Sequence, residues 1–152
     1  MIGLPNETQT DGEAIVSLIK KMKHHAIQVS KGKGNPFQIT VSVSSFVPKP
    51  LTTFQFYPME SLALLKGKIR YLSREIRGLT GVHFTHDLPK WAYIQGLLSR
   101  GDRRVGEILF TTLQENGNWH RACNNVNVSP DFYLYRQMDE REIPPWVLWL
   151  KG

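Results

Sequence analysis

Early in the chain the apolar side chains fall at Ile15, Leu18, Ile19 and Met22, the i, i+3, i+4, i+7 spacing of an amphipathic helix. Thr10-Asp11-Gly12-Glu13 has capping-box spacing, which predicts Thr10 as N-cap with Glu13 reaching back to it. The stripe fades by Val29, and residues 30–36, rich in Lys, Gly and a final Pro, read as a polar turn. The period then drops to two. Phe37, Ile39, Val41 and Val43 alternate with Gln38, Thr40, Ser42 and Ser44, which predicts a strand. It ends in Pro48-Lys49-Pro50, where neither proline can donate to a ladder. Leu62, Leu65, Ile69, Leu72 and Ile76 mark a second long helix, stopped by Gly78 and Gly81. Residues 82–85 predict a short strand, and residues 90–98 and 103–115 two more helices. From Trp119 onward the chain is aromatic and irregular, punctuated by Pro130, Pro144 and Pro145.

The first five residues, Met1-Ile2-Gly3-Leu4-Pro5, are an apolar run stopped by Gly and Pro. They read as the last residues of a buried strand leaving its sheet. The order is therefore strand end, helix, strand, helix, strand, helices, which predicts an α/β fold with a parallel sheet or barrel. The first unit lacks its own strand, so the expectation is a piece of a longer protein.

Composition narrows the class. A chain of 152 residues, 41% hydrophobic and 21% charged, is a globular domain. No apolar run approaches the ~20 residues of a membrane span, and no signal peptide is recognisable. Cys123 stands alone, which excludes an internal disulfide and any cysteine motif for zinc or an iron–sulfur cluster. A reducing, cytoplasmic setting is the expectation. Lys and Arg number 19 against 13 acids, a formal charge of +6. That suits a polyanion such as RNA, or is an ordinary surface whose excess is basic. The charges are spread among residues 20–33, 66–77 and 100–104, which favours the ordinary surface, and no stripe alternates with aromatics as single-strand binders show.

Three stretches carry a likeness to a known family. Ile2-Gly3-Leu4-Pro5-Asn6-Glu7-Thr8 resembles the "IGLPxET" segment that ends the fifth strand of radical S-adenosylmethionine (SAM) enzymes. Val41 to Pro50, followed by Thr52-Thr53-Phe54-Gln55, resembles the end of the sixth strand in the cobalamin-domain-linked subfamily, "VSxFVPKPHTPFQW". Leu98-Ser99-Arg100-Gly101-Asp102-Arg103-Arg104-Val105-Gly106 resembles that subfamily's "LxRGDRRxG". The tail, with Tyr133-Leu134-Tyr135-Arg136 and Pro144-Pro145-Trp146, is similar but less distinctive. Two positions depart: Leu51 stands where the family has His, and Thr53 where it has Pro.

The resemblance implies the C-terminal part of a partial (β/α) barrel over residues 1–58. The last barrel helix and a mostly helical C-terminal extension would occupy residues 59–152. The parent would be an oxidoreductase-like enzyme with SAM, a 4Fe-4S cluster and, in some members, cobalamin, doing reductive SAM cleavage or cobalamin-assisted methyl transfer. Its cluster-binding cysteine loop would lie in a missing N-terminal part, this chain's first partner, and the chain alone would hold no cofactor and not be catalytic. Ile2, Gly3, Pro5, Ser44 and Phe46 are the implied SAM-side residues.

The residues themselves support narrower readings. Glycine at a strand terminus lets backbone approach a ligand, and ligands bind beyond the carboxyl ends of barrel strands; a plain strand-to-helix turn is the alternative at Gly3 and Pro5. Pro48 and Pro50 stiffen a loop that holds Lys49, either solvated or facing an anion. Arg100, Arg103 and Arg104 make either an anion clamp or a helix corner, with Gly101 closing one helix and Asp102 capping the next. The RGD letters read as chance. His83 and His86 fall on opposite strand faces, and His24 and His25 diverge on a helix, so no protein metal site is read. Trp91, Trp119, Trp146 and Trp149 read as core or interface. The open sheet edge favours self-association. A basic binding module for RNA or another anionic partner is the competing function.

We expect anaerobic treatment of this chain with iron and sulfide to leave no iron–sulfur chromophore, because a single thiolate cannot hold a cluster. Stoichiometric iron and sulfide in the purified chain would overturn this.

Overall fold

In a computed structural model, residues 1–32 and 37–147 are described. Part of the predicted turn at 30–36 and Trp149 lie outside them. Among the described residues the protein is α/β: six helices and a two-stranded parallel sheet. No helix among them is long and apolar enough to cross a membrane.

Two compact units interleave along the chain. One comprises Met1–Phe46 and Ser61–Pro89, the other Val47–Glu60 and Lys90–Gly152. The sequence expectation drew one linear boundary at residue 58.

The first unit holds helix α1 (Gln9–Ser30), strand β1 (Ile39–Val43), helix α2 (Leu62–Arg77) and strand β2 (Val82–His86). β1 and β2 pair in parallel, in register from Ile39 opposite Val82 to Val43 opposite His86. Ile2 extends this arrangement: it bridges to Ser45 in parallel, with Ile2 N–H donating to Ser44 O at 2.9 Å and Phe46 N–H to Ile2 O at 2.7 Å. The terminal apolar run thus lies beside the end of β1, as its strand-end pattern predicts.

α2 follows its sequence closely. Ser61 caps it by accepting from Leu64 N–H at 3.3 Å, and Gly78 closes it. Arg74 and Arg77 sit in the last turn, where positive charge meets the negative helix end. Leu65, Ile69, Leu72 and Ile76 are buried, so their spacing marks the packed face.

α1 differs in two respects. Its cap is Thr8, two residues before the expected Thr10, because Asp11 Oδ2 accepts from both Thr8 N–H (2.7 Å) and Thr8 Oγ1 (2.8 Å). Thr8-x-x-Asp11 and Thr10-x-x-Glu13 are overlapping capping boxes, and the earlier one closes. Its buried residues are Val16 and Ile19. Leu18 and Met22, expected in the core stripe, are 57% and 49% exposed. The strand also starts at Ile39, leaving Phe37 and Gln38 outside the ladder.

The second unit holds α3 (Pro89–Arg100, whose Pro89 belongs to the first unit), α4 (Val105–Gln114), α5 (Trp119–Asn125) and α6 (Pro130–Leu134). Periodicity missed α5 and α6, which at seven and five residues are too short to display a stripe. Their start signals are visible: Asn118 accepts from Arg121 N–H at 3.1 Å, and Ser129-Pro130 places proline in the first turn. Leu97, Ile108, Ala122 and Leu134 are fully buried. Trp91 is 53% exposed, with Lys90 Nζ 5.0 Å from its ring centre, so it is not core.

Two glycines near the end of α2 should respond oppositely to alanine. Gly81 has φ +79°, and an added Cβ would meet the Phe37 ring at 2.7 Å. Gly81→Ala should cost more than ~1 kcal/mol. Gly78 has φ −81° and open space around its Cβ direction. Gly78→Ala should be neutral or stabilise by about 0.4–1 kcal/mol. Urea melts of the two variants check the contrast.

Candidate functional site

In the first unit the strand ends converge on one edge. Gly3 takes φ 80° and Asn6 φ 64°, so the chain turns sharply off the Ile2 pairing. Glu7 fixes that turn: its Oε2 accepts from Gly3 N–H at 3.0 Å and Leu4 N–H at 3.4 Å. Its Oε1 lies 2.6 Å from Lys68 Nζ on α2. A pre-shaped turn at a strand's carboxyl end needs little reordering when something binds there. Next to it, Ser45 Oγ is buried and has no hydrogen-bond partner. β2 closes the edge, with Asp87 N–H donating to Val43 O at 3.1 Å and His86 Nδ1 3.0 Å from Asp87 O.

The faces of the pair are unlike. Val43 is buried and Ile39, Val41, Val82 and Phe84 are half-buried, whereas Thr40, Ser42, His83 and Thr85 are exposed. Ser42 and Thr85 hydroxyls touch across the strands at 2.7 Å. Parallel strands usually have both faces covered, so an open polar face is unusual.

The sequence-derived residues fall into this picture unevenly. Ile2 and Phe46 are buried side chains whose main-chain groups pair with each other. Gly3 is buried, while Pro5 and Ser44 are half-buried at the edge. Glu7, Lys68 and Ser45 were not singled out. Only Glu7 left a trace, as an acid within a turn that follows an apolar run.

In the second unit Lys49 Nζ donates to Ser99 Oγ at 3.2 Å, and partial burial pulls its pKa below the usual lysine range. Beside Ser99, Arg100 is only 2% exposed and donates to the carbonyls of Tyr57 and Arg136. Burial, and then the Arg136 charge, lower its pKa to about 10. It is a strut tying two segments of main chain. Arg104 instead grips Asp102, Nε to Oδ1 at 3.0 Å and Nη2 to Oδ2 at 2.7 Å. Arg103 is exposed. Arg100 and Arg104 thus have different partners, and the three guanidiniums do not converge on one point. Gly101 is required by packing, because a Cβ there would meet Val105 Cγ2 and come within 2.7 Å of Leu97 O. Asp102 Oδ1 also accepts from Arg104 N–H at 2.9 Å, but the N-cap of the regular helix is Arg104, without a side-chain cap bond, so Asp102 closes the turn ahead of the helix rather than capping it as expected. Leu51 takes φ 60° in the same loop as Lys49, a left-handed conformation costly for Leu.

Among the described residues, no group of three or more His, Cys, Asp or Glu side chains is arranged to hold a metal. Burial raises the Cys123 pKa, so its thiol is protonated at neutral pH.

No family model matches the chain, and no solved structure matches it. It is similar to an uncharacterized protein of Methanocaldococcus jannaschii, 28% identical over 109 residues that make up 72% of this chain. Those residues are 22% of that protein, so the chain spans well under half of its relative's length.

Asp102→Ala should cost about 1 kcal/mol by removing the acceptor of the Arg104 N–H, and Asp102→Asn, which can still accept that bond but carries no charge for the guanidinium, should recover part of it. The hydrogen bonds from Arg104 lower the Asp102 pKa to about 2 from an ordinary 3.8. The corresponding stabilisation is complete above the ordinary value and is lost as pH falls from there through the folded value. Acid unfolding of wild type and Asp102→Asn should therefore converge at the bottom of that window.

Proposed function

We propose that the chain is the C-terminal part of a radical SAM enzyme of the cobalamin-domain-linked subfamily, completed by a preceding part that carries the cluster. The observation that carries this reading is the parallel pairing of Ile2 with Ser45. It sets the ends of two motif-bearing segments side by side, with β2 next in chain order. Strands adjacent in chain order, parallel and joined by helices are the arrangement of successive barrel units.

Three features agree with a missing neighbour. The Ile2 segment pairs on one side only among the described residues. The Thr40–Thr85 face of the sheet is exposed. Along α1, beside the Leu4–Glu7 turn, Ala14, Ile15 and Leu18 line an open groove of ≈ 470 Å³. Met22, Val29 and Phe37 line a second of ≈ 530 Å³. A preceding strand and helix would cover such an edge and flank.

A 4Fe-4S cluster does not fit this chain, since Cys123 is its single thiol. SAM fits in part. The Gly3–Pro5 turn and the unpartnered Ser45 hydroxyl offer close backbone approach and one free hydrogen-bonding group. Bound to the complete enzyme, SAM supplies the radical chemistry. This chain's residues would shape and orient its site, with Glu7 holding the turn and Ser45 hydrogen bonding to the ligand.

The test is the longer protein. If the reading frame continues upstream into a Cys-x3-Cys-x2-Cys loop, that protein, reconstituted anaerobically, should cleave SAM to 5′-deoxyadenosine under reducing conditions. Glu7→Gln should weaken SAM binding while the cluster's absorption stays intact. A frame that begins at Met1, with no partner chain supplying the cysteine loop, refutes the proposal.

A further inference from the structure

Between Glu13 and Glu60 the chain contains no acidic residue. Within this stretch α1 exposes Lys20, His24 and Gln28, and Lys31 follows at its C-cap, at i, i+4, i+8 and i+11; Lys20 and Lys31 are the cations of this line. α2 exposes Lys66, Arg70, Arg74 and Arg77 at the same spacing. Residues so spaced share one helical line. Each line is about 16 Å long at 1.5 Å per residue. The two helices are neighbours: a Cβ on Gly12 would lie 3.6 Å from the Tyr71 ring.

Acids near these lines are few and largely engaged. Glu75 pairs with Arg74 at 3.1 Å, Glu7 with Lys68, and Asp11 is held by Thr8, leaving Glu13 at the head of α1. Among the described residues, no ion pair engages Lys20, Lys66, Arg70 or Arg77. Like charges one turn apart, such as Lys66 and Arg70, gain little for the fold, so their value lies in what they attract.

We infer that the outer faces of α1 and α2 form a docking surface for the phosphate backbone of a nucleic-acid duplex. Regularly spaced cations match a polyanion. Neither line carries an aromatic on which unpaired bases stack, which disfavours a single strand. Such a surface reads shape and charge rather than sequence. The inference is independent of the radical-enzyme reading, because it uses outward helix faces and no strand end.

The test is fluorescence anisotropy of the full chain with a labelled RNA duplex of about 16 base pairs, between ~50 and ~200 mM salt. Arg70→Gln/Arg77→Gln should weaken binding roughly tenfold at low salt and reduce the log–log salt slope by about 1.8, two phosphate contacts' worth. Arg103→Gln, in the other unit, should leave binding unchanged. Circular dichroism confirms that the variants fold, and Lys20→Gln/Lys66→Gln is the second pair should the first lose structure. The inference is overturned if the duplex does not bind at low salt, or if both pairs bind like wild type. It is also overturned if the single-stranded form of the same RNA, or anionic phospholipid vesicles, compete with equal or greater affinity.

Discussion

The main-chain hydrogen bonds between Ile2 and the segment Ser44–Phe46 organise the first unit. An apolar residue at a chain end is normally costly to expose, yet Ile2 is 2% exposed because this pairing draws it against β1. From it the Gly3 and Asn6 conformations follow, since the chain must turn at once to begin α1. Glu7 holds that turn, and Lys68 on α2 holds Glu7. One bridge thereby links the first strand end, both long helices and the edge at which motif residues gather. A parallel bridge also demands a crossover, and α1 supplies it.

How much of this was legible depended on whether a signal was local. α2 was read almost residue by residue, because one apolar stripe and a glycine stop agreed; the Ser61 cap was not read, although serine before an apolar run is a start signal. α1 was read as a helix, but its packed face was not. Val16 and Ile19 face inward while Leu18 and Met22 face outward, and a helix with two apolar stripes does not declare which one packs. α4 has the same ambiguity: Val105 and Ile108 are buried, yet Leu113 is 78% exposed. α5 and α6 are set by caps and by packing of Ala122 and Leu134, which no periodicity over so few residues reveals.

The site divides along the same line. Gly3, Ser44 and Lys49 were visible as motif letters at strand ends. The Glu7–Lys68 pair and the buried Ser45 hydroxyl were not, because each depends on elements distant in sequence. The RGD corner shows letters acquiring different physical meanings. Arg100 is buried on carbonyls, Gly101 fits where no Cβ can, and Asp102 and Arg104 close on each other. Burying a guanidinium is expensive unless its donors are satisfied. Two main-chain carbonyls offset part of that cost, and the depressed Arg100 pKa expresses the remainder.

Two surfaces of the first unit therefore have separate chemistry. The carboxyl edge has an unpartnered hydroxyl, a sharp glycine turn and polar strand residues, all suited to a small ligand. The helix faces have spaced cations suited to an extended polyanion. In strand–helix units the helix face presented to solvent and the carboxyl ends of the strands are different sides of the structure. A charge change on Arg70 or Arg77 leaves the Gly3 turn untouched, since neither side chain takes part in holding it; Lys68 on the same helix does. α2 thus turns one line of residues outward and another toward the strand-end turn, so that a single helix serves both surfaces with different side chains.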